Sequence, residues 1–277
     1  MKHLSLTGIG TREKNEDVIL IEEFDQNSIL YLVVDGMGGY QKGEIAAKLV
    51  SENIATHLRS VAELNKQAIL NAFKKANLSI KQFNDENDIK SGATVGGLLI
   101  VGEITYCFWV GDVKIYYLKN EKLDWESTSH SFLNEMFEED LRKSTEIKKK
   151  YGHIVTRSIS GKREKSTPDI FEIEDFSKDD SFIICSDGVH NVMTLELLRL
   201  LLSEENGKEK IEEYLGEHSG ITVLDPREYF NTNRDYTWYY KTDTHWNFAG
   251  GYVGSQMIIE ALGGTGVPIE DVTVTYE

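Results

Sequence analysis

No apolar run among the 277 residues approaches the roughly 18–20 that would span a bilayer. Between Met1 and Asp17 stand Arg12, Glu13, Lys14 and Glu16, where a secretory signal would need an apolar stretch, so cytoplasmic residence is the expectation. Positive charge is scarce: 30 Lys and Arg stand against 46 Asp and Glu, a net charge of −16. That deficit argues against nonspecific binding to nucleic acid or to an acidic membrane, both of which demand a Lys/Arg excess. An acidic chain can still handle phosphates through metal ions. Only two cysteines occur, Cys107 and Cys185, each inside an apolar run, so both are expected to be reduced thiols packed in strands. There is no C-x-x-C pair, which removes thiolate zinc sites.

What is present is a globular composition, 40% hydrophobic and 27% charged, with room for one large domain or one domain plus an appended piece. Ser28 to Val34 is a β-branched and aromatic run stopped by Asp35-Gly36-Met37-Gly38-Gly39, the pattern of a buried strand ended by a turn. From Glu44 the period changes. Ile45, Ala46, Leu49, Val50, Ile54 and Leu58, and then Leu64, Ala68, Ile69, Ala72, Phe73, Ala76 and Ile80, recur at three- and four-residue spacing and predict two amphipathic helices. Three short runs follow, Ala93 to Val101, Thr105 to Val110 and Lys114 to Leu118, which read as an antiparallel meander. Ser129 to Lys150 is helical in pattern, with Phe132, Met136 and Phe137 as a modest apolar stripe. Strands return near Asp169 to Ile173 and Ser181 to Cys185, and Leu195 to Leu202 opens another helix. Strands, then helices, then strands give an α+β class. After about Gly216 the texture shifts to crowded aromatics and glycines, which sets residues 219–277 apart from 1–218.

Three acidic clusters fall at strand ends or turns: Asn15-Glu16-Asp17, Asp35-Gly36 and Ser186-Asp187-Gly188. Hard divalent cations such as Mg²⁺ and Mn²⁺ prefer carboxylate, carbonyl and water oxygens, and glycine lets backbone carbonyls approach an ion. Aspartates on separate strand ends can converge on a metal pair. Two such ions would acidify a bridging water, aim it at phosphorus and neutralise the leaving group. Arg12, three residues before Asn15, has the planar fork that grips a phosphate. Any single Asp-Gly is weak evidence, because the dipeptide is a common turn.

The order of the clusters resembles the type 2C metal-dependent protein serine/threonine phosphatases over about residues 1–215. The family's R-x-x-N-E-D looks like Arg12 to Asp17, its V-x-D-G-M-G-G like Val33 to Gly39 and its S-G-A/T-T like Ser91 to Thr94. Its G-D-S-R resembles Gly111-Asp112-Val113-Lys114 and its D-H-S resembles Ser129-His130-Ser131. Its I-T-R-x-x-G resembles Val155 to Gly161 with one extra residue, and its L-C-S-D-G resembles Ile184 to Gly188. The resemblance implies a two-layer antiparallel β-sandwich flanked by helices, with two Mn²⁺ or Mg²⁺ ions at one end. It implies that Asp35 bridges both ions, that Gly36 gives a carbonyl and Asp187 a carboxylate, and that Glu16 and Asp17 complete or orient the hydration shell. It further implies that Arg12 clamps the phosphate and that Asp112 serves a weak third ion. A phosphorylated protein is the substrate so implied, one made by a serine/threonine kinase or the kinase itself, and a monomer is expected. His130 and His190 neighbour motifs, but oxygen-loving metals leave them at most a supporting place. Met37 stands where some members carry a histidine proposed as general acid, so leaving-group protonation here would fall to water.

Two departures stand out. The family's closing D-N-I/A-T, whose Asp is a further ligand, is absent; Ser219 to Val223 has no carboxylate, and Glu270 to Val274 offers only Glu270 or Asp271. A lost ligand weakens one metal, which keeps open a degenerate, phosphoprotein-binding alternative. Val113-Lys114 in place of Ser-Arg is milder. The tail resembles something else: Tyr239 to Asn247 is similar to the Y-Y-x-x-D-T-H-W-N block of SGNH-like alginate O-acetyltransferases. By that resemblance Asp243 and His245 would orient and activate a serine, yet no G-D-S nucleophile block occurs. The segment therefore reads as a fused fragment of different origin, and an O-acetyltransferase remnant stands as a third alternative.

Overall fold

The computed structural model describes residues 3–8, 14–37, 42–142, 144–174, 176–177, 180–203 and 207–218. The chain divides into two compact units, Met1–Lys208 and Glu209–Glu277. The acetyltransferase-like block with Asp243 and His245, and the carboxylates Glu270 and Asp271, lie outside the described residues, as does Arg12. No described helix is long and apolar enough to cross a membrane.

The first unit opens with β1 (Asp17–Asp25) and β2 (Ser28–Met37), followed by α1 (Gly43–Ser60) and α2 (Lys66–Asn87). Then come β3 (Gly92–Val101), β4 (Ile104–Val110), β5 (Lys114–Lys119) and β6 (Lys122–Glu126). Three short helices follow, α3 (Phe132–Met136), α4 (Glu139–Arg142) and α5 (Thr145–Tyr151). Last are β7 (Asp169–Glu174), β8 (Ser181–Cys185), α6 (Asp187–His190) and α7 (Leu195–Leu202). The final described helix, α8 (Gly207–His218), buries Ile211 and Leu215. Two antiparallel sheets result, one ordered β1-β2-β3-β4-β7 and the other β6-β5-β8.

Strand alternation builds the layers. On β4, Phe108 and Val110 join Leu30, Leu32 and Val34 of β2 in one apolar cluster with the inner faces of α1 and α2. The intervening Cys107 and Trp109 point the other way and cluster with Ile115 and Tyr117 of β5, with Ile184 of β8 against them. A period of two thus lets the larger sheet serve a helix pair on one face and the smaller sheet on the other. Two glycines in β3 make this close packing possible. A Cβ at Gly97 would lie 2.5 Å from Phe108 Cζ and 2.6 Å from Leu32 Cδ2, and one at Gly96 would meet Val113 and Ile184. The helices form where the spacing predicts. Ala46, Val50, Ile54 and Leu58 of α1 and Ile69, Phe73, Ala76 and Ile80 of α2 are at most 1% exposed. Asn65 caps α2 by accepting from the Ala68 amide at 3.0 Å, and Asp88 ends it in the left-handed region at φ 52°, an arrangement worth roughly 0.5–2 kcal/mol at the N-terminus.

Four local expectations are corrected. β2 does not stop at Val34 but runs through Asp35, Gly36 and Met37, because these pair with Thr94, Ala93 and Gly92 of β3. The third strand of the expected meander leaves the sheet: Gly111, at φ 102°, turns the chain so that β5 pairs with β6 and β8 instead. Asp187 opens the single-turn α6 rather than a tight turn. Met136 is 65% exposed, while Phe132 and Phe137 gather with Tyr151, ring centroids 5.4–6.1 Å apart.

Candidate metal centre

Antiparallel register brings the acidic clusters to one end. The start of β1 meets the end of β2, pairing Asp17 with Asp35, and Asp35 in turn faces Thr94 at the start of β3. Val95 pairs with Val110 at the end of β4, where Gly111 and Asp112 follow. The start of β5 then pairs with the end of β8, Lys114 with Cys185, two residues before Asp187. Glu16, Asp17, Asp35, Gly36, Asp112 and Asp187 therefore share one rim although they come from four stretches spread over the sequence.

Specific contacts tie the rim together. Ser186 Oγ donates to Asp17 Oδ2 at 2.9 Å, joining the end of β8 to the start of β1. The Asp17 amide donates to Asn15 Oδ1 at 3.0 Å, and the Gly36 amide donates to the Glu16 carbonyl at 3.0 Å. A Cβ at Gly36 would lie 2.7 Å from that carbonyl and would collide with the Gly43 carbonyl at the start of α1. Here a glycine is required by close backbone approach. At the edge of the rim Lys14 pairs with Glu44 at 2.7 Å, and this hydrogen bond holds the Glu44 carboxyl below its usual range.

Electrostatics mark the same place. The Asp112 carboxyl is raised above the ordinary carboxylate range, first by burial, then by the charge of Asp187, with Asp17 adding to it. Three like charges thus feel one another at the end of a dry sandwich, the arrangement a cation relieves. Among the described residues no three Asp, Glu, His or Cys side chains close tightly enough to hold one metal ion. Like-charge repulsion favours such a spread. The donor set nevertheless fits a hard divalent cation in its chemistry, being carboxylate and carbonyl oxygens.

Two histidines weigh more than their sequence context suggested. His190 Nε2 lies 3.0 Å from the Asp112 carbonyl, and since a carbonyl only accepts, the ring nitrogen donates. His130 takes the Gly111 amide on Nδ1 at 3.0 Å, while its own amide donates to the Gly111 carbonyl at 2.7 Å. With Nδ1 accepting, the neutral ring carries its proton on Nε2, which lies 3.1 Å from its acceptor Asp169 Oδ2 and also 2.8 Å from Arg157 Nη1. Arg157 Nη1 donates to Asp169 Oδ1 at 3.0 Å, and Nη2 donates to the Thr167 carbonyl. Burial pushes both histidines below their usual pKa. Burial also opposes ionisation of Asp169, but hydrogen bonds from His130 and Arg157 outweigh it and lower its pKa. Asp169 escaped the sequence reading. Its one signal was a charged residue opening an otherwise alternating strand.

Comparison with known proteins agrees with this geometry. Residues 8–215 match the family model described as protein phosphatase 2C. The chain is 26% identical over 238 residues to the serine/threonine phosphatase stp of Listeria welshimeri, covering 77% of this chain and 90% of that protein. The fold is similar to the Mycobacterium tuberculosis serine/threonine phosphatase PstP/Ppp, with a TM-score of 0.66 at 22% identity over 78% of this chain and 92% of the other. It is also similar to the catalytic domain of PstP solved with two manganese ions, with a TM-score of 0.63 at 22% identity over 76% and 88% of the two chains.

Proposed function

The chain belongs to the protein phosphatase 2C family, and from that membership we propose that it is a metal-dependent phosphatase removing phosphate from phosphoserine and phosphothreonine in proteins. The observation that carries the reading is the gathering of Asp17, Asp35, Asp112 and Asp187 at one end of the two sheets. Two Mn²⁺ or Mg²⁺ ions bound there would supply an acidified water nucleophile and charge neutralisation at phosphorus. Asp35 and Asp187 are the assigned carboxylate ligands, and Gly36 is the assigned carbonyl ligand. Glu16 and Asp17 would complete or orient the hydration shell, and Asp112 is assigned to a weaker third ion. Arg12 is assigned to hold the phosphate, supported by its place three residues before Asn15 in the sequence and by the planar fork common to every guanidinium. Ser186 fixes Asp17 through its hydroxyl, and Gly36 keeps the backbone of β2 against the start of α1.

The proposal places this activity in residues 1–218, with 219–277 an appended segment. It extends to a monomer in the cytoplasm whose substrates are made by a serine/threonine kinase. A second reading, a catalytically degenerate module that binds phosphoproteins, is favoured by one observation: the family's closing D-N-I/A-T is absent from the sequence. The full chain incubated with phosphothreonine and phosphoserine peptides decides between them. Phosphate release that requires Mn²⁺ or Mg²⁺ and stops with chelator supports the phosphatase. A folded chain that binds the peptides with either metal yet releases nothing supports the binding module.

A further inference from the structure

We infer that His130 and His190 are positioning residues that brace the Gly111–Asp112 turn from two sides, and so fix where the Asp112 carboxyl stands in the candidate metal centre. The inference rests on the phosphatase reading for its consequence but on geometry alone for the brace. The turn needs holding. Its chain has just left β4 of one sheet and is about to enter β5 of the other, and Gly111 sits at φ 102° with Thr94 so close that a side chain at this position would collide with it. The Asp112 carboxyl follows at its tip, on the rim it shares with Asp187 and Asp17.

Three hydrogen bonds hold the turn. His130 uses both its ring and its backbone on one residue: Nδ1 accepts from the Gly111 amide at 3.0 Å and its amide donates to the Gly111 carbonyl at 2.7 Å. His190, arriving from α6, donates Nε2–H to the next carbonyl, that of Asp112, at 3.0 Å. The His130 ring is itself fixed. Its Nε2 proton goes to Asp169 at 3.1 Å, Arg157 anchors Asp169 at 3.0 Å, and the ring lies nearly parallel to Trp109, interplanar angle 12° with centroids 6.1 Å apart. Trp109 is in turn tied by Nε1 to the Thr128 carbonyl at 2.8 Å. A chain of packed and bonded groups therefore runs from the start of β7 to the turn, and α6 closes on it from the other side. Because α6 also carries Asp187, the His190 bond sets the spacing between two of the rim carboxylates, Asp112 and Asp187. Neither histidine is asked to ligate metal or move a proton.

The test uses alanine and isosteric variants of the full chain. His130→Asn keeps an acceptor near Nδ1 and His190→Gln keeps a donor near Nε2, whereas His130→Ala and His190→Ala keep neither. Titration with Mn²⁺ alone by calorimetry is expected to show the weakest resolved site loosened roughly 10–100-fold in each alanine variant. The isosteric variants are expected to recover most of that loss, and the KM for a phosphopeptide at saturating Mn²⁺ should stay unchanged. If His130→Ala does not fold, His190→Ala, which loses a single part-buried bond, carries the titration. Wild-type Mn²⁺ affinity in both alanine variants would overturn the inference. So would isosteric variants as weak as the alanine ones. Amide exchange at Gly111 in chelator separates the two readings: faster exchange in His130→Ala, restored in His130→Asn, supports the brace even if the wild type neither binds Mn²⁺ nor releases phosphate. Unchanged exchange refutes the brace even if the enzyme is active.

Discussion

A dry region and a highly charged one adjoin at the ends of the same strands, a residue or two apart along the chain. Val34 is fully buried and Asp35 follows it; Val110 is fully buried and Asp112 stands two positions on; Cys185 is 7% exposed and Asp187 comes two residues later. The apolar region is a close-packed layer in which Phe73 of α2 meets Phe108 of β4 edge to face at 5.6 Å. The acidic region is a group of like charges in which burial first, then the charges of Asp187 and Asp17, raise the pKa of Asp112. The contrast teaches a division of labour. Burial of large side chains, each worth roughly 1.5–3 kcal/mol, gives the strands a fixed register, and that register holds together carboxylates that would otherwise separate.

The comparison can be broken first from the apolar side. Phe73→Ala should cost about 3–5 kcal/mol, seen as a lower urea midpoint, while the fraction that remains folded keeps normal Mn²⁺ affinity; a small stability loss with a large affinity loss would mean that the two regions are not separable. Gly36→Ala comes next. Its Cβ would enter the space of the Glu16 and Gly43 carbonyls, an overpacking cost of about 1–3 kcal/mol, and here phosphatase turnover should fall much further than stability. Asp112→Asn should act in the opposite sense. Removing a charge that burial, Asp187 and Asp17 all disfavour is expected to raise stability in chelator by about 0.5–2 kcal/mol while weakening Mn²⁺ binding; a loss of metal-free stability would contradict the like-charge account.

The smallest effect belongs to pH. His57 of α1 is 8% exposed, and neither ring nitrogen has a hydrogen-bond partner among the described residues. Burial, and then the charge of Lys75, hold its pKa below the ordinary 6.5. The native state therefore keeps the ring neutral while the unfolded chain protonates near 6.5. The contribution is fully present above about 6.5 and declines as pH falls from there toward the native value. Urea midpoints measured from pH 7.5 to 5.5 should fall less steeply for His57→Phe than for the wild type, and identical slopes would contradict the assignment.

Much of the apolar region was legible in the sequence because its signals are local. Three- and four-residue spacing marked α1 and α2, and β-branched runs marked β2, β3 and β4. Pairing partners were not legible. Nothing local says that Gly111 sends β5 to a different sheet from β4, or that the charged Lys122–Glu126 would pair as the edge strand β6. The candidate site divides the same way. Each Asp beside a turn was visible, and family motifs put them in order, but the closeness of Asp17 to Ser186, 169 positions apart, comes only from register. His130, His190 and Asp169 were under-read for the same cause: their partners are backbone groups and side chains distant in sequence, which leave no periodic trace.

The central claim is that the gathered carboxylates form one working metal centre, and Asp35, paired with Asp17 and facing Thr94, stands in the middle of it. The most direct measurement is hydrolysis of p-nitrophenyl phosphate by the full chain and by Asp35→Asn, each with Mn²⁺ and with chelator, with Mn²⁺ calorimetry on the same samples. The account predicts wild-type turnover that chelator abolishes, and a variant with an unchanged urea midpoint in chelator but turnover and Mn²⁺ affinity both reduced at least about a hundredfold. Turnover in Asp35→Asn equal to wild type, or wild-type turnover indifferent to chelator, would contradict it.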